Sequence, residues 1–138
     1  MLTTGIHYTS HLSMLPAGTR IDDRYEVLGL LGAGGMGQVY RARRIRLGDE
    51  VAVKVLPGAQ EAPADLHERF LRESQACAQL RHPSIVGLLD YGVDAARQPY
   101  MVMELLSGPS LAEEITIEAP MPPARVAGVI LPVAGALQ

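Results

Sequence analysis

Gly32-Ala33-Gly34-Gly35-Met36-Gly37 fits the pattern G-x-G-x-x-G. Glycines let a backbone approach phosphates closely and aim its N–H groups at them. The same pattern also describes a flexible glycine-rich turn. Further on stands Lys54, the only lysine of the chain; the other 11 basic residues are arginines. Lysine is a compact point charge and arginine a planar fork, so the two are not equivalent at a phosphate. Beyond Lys54 comes Glu73, a carboxylate among apolar residues that is costly to bury unless it is paired.

Three phosphate-binding chemistries compete for the glycines. A Walker-type loop needs Lys directly after the last glycine, where this chain has Gln38. A dinucleotide fingerprint wants a helix after the glycines and an acidic residue ending the next strand. Here Val39-Tyr40 favours a strand, and the next strand carries Lys54 instead of an acid. The third is a loop between two strands with Val two residues past the last glycine, the place of Val39.

These residues need elements to hold them. Residues 25–31 read as a strand before the glycines, and residues 38–44 as a second one. Gly48-Asp49 is a hairpin turn. Residues 50–56 form the strongest strand, rich in β-branched side chains. Its period of two puts Ala52, Lys54 and Leu56 on one face and Val51, Val53 and Val55 on the other. Lys54 is then either a surface lysine on an edge strand or a cation needing a partner. Pro57-Gly58 and Pro63 break the chain, and residues 65–81 read as a helix. Asp65 and Glu68 have capping-box spacing at its start. Leu66, Phe70, Glu73, Cys77 and Leu80 fall in one stripe of that helix, with Glu73 in the middle. Either Glu73 reaches solvent at the stripe's edge, or it pairs with Lys54. Residues 85–93 and 99–104 read as two more strands. Ser110 and Glu113 suit the cap of a short helix, and Pro122 and Pro123 the first turn of a last one. The order is α+β with an antiparallel sheet.

GAGGMGQV, then VAVK, then a helix glutamate 19 residues later, resembles a protein kinase. LPAGTRIDDRYEVLGLLGAGGMGQVYRAR, RFLRES, RHPSIV and YMVMELLSG resemble the bacterial serine/threonine kinases. The resemblance covers about residues 16–138. It implies a kinase-like small lobe, a five-stranded antiparallel sheet with one long helix, followed by the first helices of a truncated large lobe. Residues 1–20 mix Thr, Ser and His without a clear period and read as a flexible leader; the resemblance makes 21–107 the small lobe and 108–138 the start of the large lobe. It also assigns roles. Gly32, Ala33, Gly34, Gly35, Met36 and Gly37 would cover the phosphates of ATP. Leu31, Val39 and Ala52 would line the adenine pocket, with Met103 behind it. The Glu104 carbonyl and the Leu106 amide would bond adenine. Lys54 would hold the α- and β-phosphates, and Glu73 would orient Lys54.

The resemblance also marks what this sequence does not contain. The H-R-D-x-x-x-x-N loop, D-F-G and A-P-E are not in it, so the catalytic base and the Mg²⁺ ligands would lie elsewhere. The 138-residue chain alone is expected to transfer no phosphate. The intact protein would phosphorylate serine and threonine hydroxyls of protein substrates. The alternatives are a non-catalytic ATP-binding or regulatory remnant that pairs with other kinases, and a dinucleotide-binding fragment. Pro132 lies in the middle of the last helix, where proline removes a backbone hydrogen bond. Val126, Val129, Ile130, Val133 and Leu137 form an apolar stripe there without obvious cover, which predicts poor solubility or oligomerisation.

Composition agrees with a globular chain: 48% hydrophobic, 20% charged, net charge −3. No global field favours nucleic acid. One cysteine builds no disulfide framework, and no apolar run approaches the roughly 20 residues of a membrane span. The chain reads as soluble, reduced and cytoplasmic. His7 and His11 lack a third metal ligand. His82 reads as a local hydrogen-bonding residue and Cys77 as a small core residue. Arg41, Arg43, Arg44 and Arg46 read as a solvated hairpin.

Overall fold

A computed structural model describes residues 13–34, 37–56 and 64–138. His7 and His11, and Gly35 and Met36 of the glycine run, lie outside the described residues. The elements are β1 (Arg20–Ile21), β2 (Tyr25–Gly34), β3 (Gly37–Arg44), β4 (Glu50–Val55), α1 (Ala64–Gln79), β5 (Leu88–Val93), β6 (Pro99–Glu104), α2 (Leu111–Ile117) and α3 (Pro123–Ala136). The strands form one antiparallel sheet in the order β1-β2-β3-β4-β6-β5. This is the expected α+β class, with a two-residue sixth strand, β1, added at one edge.

One face of the sheet carries the core. Tyr25, Val27, Tyr40, Ala42, Val51, Val53, Val55, Tyr100 and Val102 are all buried there, with Ile21 beside them. Each is an alternate residue of its strand, so period two sorts the side chains. Burying each large side chain contributes about 1.5–3 kcal/mol.

The stretch before β1 is not loose where it is described. The Leu15 amide donates to the Tyr40 hydroxyl (2.9 Å), and Leu15 packs on the core. The Gly18 amide donates to the Val27 carbonyl, and the Val27 amide to the Thr19 carbonyl, both at 2.8 Å. The leader expected over residues 1–20 is therefore fastened to the sheet from Leu15 on. Its sequence hid this because one partly buried residue, Leu15, and one buried residue, Ile21, are too few to show a period.

The sheet curls until its two ends meet. The Tyr25 hydroxyl on β2 donates to Asp90 Oδ2 on β5 at 2.5 Å. The Tyr100 hydroxyl on β6 donates to Asp22 Oδ2 at 2.6 Å, and Arg24 pairs with Asp90 at 2.6 Å.

α1 packs on β5 and β6. It starts at Ala64, so Asp65 lies in its first turn and is not the cap expected. α2 has the expected capping box: Ser110 Oγ accepts from the Glu113 amide, and the Glu113 carboxylate accepts from the Ser110 amide. α3 opens with Pro122 and Pro123 and runs through Pro132. Neither α2 nor α3 buries a residue. Their link is Arg125, which pairs with Glu114 at 3.1 Å and Glu118 at 3.8 Å. The apolar stripe of α3 is uncovered, as its sequence suggested: Val126, Ile130, Val133 and Leu137 are exposed.

Candidate functional site

The glycine run belongs to the β2–β3 hairpin itself. Gly32 pairs with Val39, Ala33 with Gln38 and Gly34 with Gly37. Strand pairing thus extends past residue 31, where the sequence suggested that a loop begins. Gly37 has φ +118°, and a Cβ there would lie well inside van der Waals contact distance of the Val55 carbonyl oxygen. Glycine is required at this position on both counts. Leu31, Gly32, Ala33 and Gly34 are exposed.

The register gathers the next residues. Val39 lies opposite Lys54, Lys54 opposite Met101, and Ala52 opposite Met103. Directly opposed residues in an antiparallel sheet share a face, so Val39, Ala52, Lys54 and Met103 form one patch beside the glycine hairpin. This is the face opposite the core. Ala52 is buried, while Val39, Lys54 and Met103 are half-buried. The small Ala52 leaves room on this face, and Lys54 supplies its positive charge.

Glu104 ends β6. Its amide donates to the Gly87 carbonyl at 3.0 Å, and its carboxylate accepts from the Gly87 amide at 2.8 Å. Leu106 follows, 64% exposed.

Glu73 is not brought to Lys54. It is exposed, and among the described residues the two make no ion pair. α1 buries Phe70 and Ser74 and half-buries Leu66, His67 and Leu71. Cys77 and Leu80, expected in the core stripe with Glu73, are exposed. The inward face is thus turned from the expected stripe by roughly 70°, a little less than one residue step. Periodicity could not reveal the turn, because Leu66 and Phe70 border both faces. The turn leaves Ser74 Oγ and His67 Nε2 buried with no hydrogen-bond partner among the described residues. Such orphaned groups are costly.

Other residues behave as local chemistry suggests. His82 Nδ1 accepts from the Ser84 amide at 3.0 Å. Arg41 pairs with Glu50 at 2.6 Å and Arg44 pairs with Asp49, which makes this hairpin a set of surface ion pairs. The Arg44 guanidinium holds the Asp49 carboxyl below its usual range. An open depression of about 660 Å³ lies at the other end of the β2–β3 hairpin from the glycines. Arg24, Tyr25, Arg44 and Asp90 are among its lining residues, at the seam of the curled sheet. Sequence reasoning missed the seam and the Glu104–Gly87 clasp, since both join residues far apart in the chain.

A family model described as protein kinase domain matches residues 25–138. The serine/threonine-protein kinase PknB of Mycobacterium leprae is 42% identical over 113 residues, 80% of this chain and 18% of that protein. The serine/threonine-protein kinase pkn2 of Myxococcus xanthus is 39% identical over 112 residues, 81% of this chain and 13% of that protein. Among solved structures, the PknI kinase domain of Mycobacterium tuberculosis superposes with a TM-score of 0.75 at 30% identity. That match covers 90% of this chain and 49% of the solved chain. The chain therefore spans less than a fifth of these two relatives and about half of the solved domain.

Proposed function

The chain belongs to the protein kinase family, among the bacterial serine/threonine kinases, and from that premise we propose that it is the ATP-holding portion of such an enzyme. The observation that carries the reading is the patch of Val39, Ala52, Lys54 and Met103 beside the glycine hairpin. Gly32, Ala33, Gly34, Gly35, Met36 and Gly37 would cover the phosphates with backbone N–H groups. Lys54 would hold the α- and β-phosphates, neutralising charge where water is excluded. Leu31, Val39 and Ala52 would sandwich the adenine, with Met103 behind it. The Glu104 carbonyl and the Leu106 amide would bond its edge.

Glu73 would orient Lys54 only after α1 turns about its axis by roughly 70°. The turn would put Leu66, Phe70, Cys77 and Leu80 inward and release Ser74 and His67. The family uses this ion pair as a condition of activity.

Magnesium has no fitting donor set here. Among the described residues no three His, Cys, Asp or Glu side chains gather as metal ligands. This chain's part would be to hold the nucleotide, and the whole protein would transfer the γ-phosphate to protein hydroxyls. Among the described residues no helix is long and apolar enough to cross a membrane.

The test is Lys54→Met in a polypeptide that joins residues 1–138 to a complete second lobe. Transfer of labelled phosphate should fall by about 10²-fold or more, with the melting temperature held. Unchanged transfer would remove Lys54 from the site.

A further inference from the structure

The end of β6 departs from the ordinary ladder in one bond. β5 and β6 pair antiparallel, with Leu88 opposite Met103. The next pair outward is Gly87 with Glu104. In an antiparallel ladder such a pair exchanges two backbone bonds. Here one is made, from the Glu104 amide to the Gly87 carbonyl at 3.0 Å. The returning bond goes elsewhere: the Gly87 amide donates to Glu104 Oε1 at 2.8 Å. The carboxylate of Glu104 has taken the donor that its own carbonyl would receive.

We infer that the Glu104 side chain is a positioning residue for nucleotide selection: by occupying the Gly87 amide it frees the Glu104 carbonyl to accept from the amino group of a purine. The inference rests on the nucleotide reading above. A carbonyl acceptor with no competing donor favours a base that presents N–H at that edge. It gives nothing to a base with only C–H there. The charge of the carboxylate adds to the hold on Gly87, since a bond to an ionised acceptor is stronger than a neutral one. With the side chain shortened, the Gly87 amide is released, and the Glu104 carbonyl is the acceptor that the ladder offers it in competition with water.

The experiment titrates the 138-residue chain with ATP and with purine riboside triphosphate, which lacks the 6-amino group. The unaltered chain should prefer ATP by roughly three- to tenfold, the size of one hydrogen bond. Glu104→Ala should lose that preference, the ratio of the two affinities falling toward one. Glu104→Gln keeps an acceptor oxygen and should retain the preference. A merely structural role would weaken both nucleotides together and leave their ratio alone. If Glu104→Ala does not fold, Glu104→Met removes the acceptor and keeps the stem. An undiminished ATP preference in the folded variant overturns the inference and leaves the nucleotide reading standing. Failure of the unaltered chain to bind either nucleotide overturns both.

Discussion

Gly37 stands so close to Val55 that no Cβ fits between them, because the Val55 carbonyl oxygen occupies the space a side chain would need. The glycine hairpin is thereby set against the strand that carries Lys54, one residue from that lysine. The third glycine of the pattern is therefore a packing requirement of the fold.

Gly37→Ala should therefore destabilise the chain by about 1–3 kcal/mol, through the strained φ and the collision with backbone. Gly34→Ala is the contrast: a Cβ there meets nothing within 4 Å. Thermal melting of the two variants should separate them, with Gly34→Ala close to the unaltered chain.

The turn of α1 predicts a change in thiol reactivity. Cys77 is exposed in this arrangement and would face the sheet once Glu73 reaches Lys54. Its modification by a thiol reagent should be fast in the free chain and slowed several-fold by saturating ATP. Equal rates with and without ATP would mean that nucleotide does not turn the helix. In the free chain Ser74→Ala should cost nothing or stabilise, since it removes a buried hydroxyl that has no partner among the described residues.

The seam of the curled sheet sets an alkaline limit. Burial, then the hydrogen bond to Asp90, raises Tyr25 from 10.0 to about 12. A raised pKa means that the fold favours the neutral phenol. Its contribution is full below pH 10 and is lost as pH rises through about 12. Tyr25→Phe removes this titration and should cost about 1 kcal/mol at neutral pH. Unfolding curves between pH 8 and 12, with phenolate absorbance read alongside, test both statements.

Much of the fold was legible because period two is strong in β4: Val51, Val53 and Val55 are buried and Lys54 faces the other way. Ser110, Glu113, Pro122 and Pro123 marked their helix starts for local reasons that tertiary structure does not alter. The site's strand residues were legible as well, since spacing within β3, β4 and β6 fixes their face. The rotation of α1 was not. Its apolar residues are sparse enough for two faces to compete, and packing against β5 and β6 chose between them. The Tyr25–Asp90 seam joins positions 65 residues apart. Only closure of the sheet brings them together.

The central claim is that this patch grips ATP through Lys54. Calorimetric titration of the 138-residue chain with ATP, beside its Lys54→Met variant, tests it most directly. Saturable binding that weakens by about tenfold or more in the variant is the expected result, since a charge-assisted contact is lost. No binding, or equal affinity in the two proteins, would contradict the account.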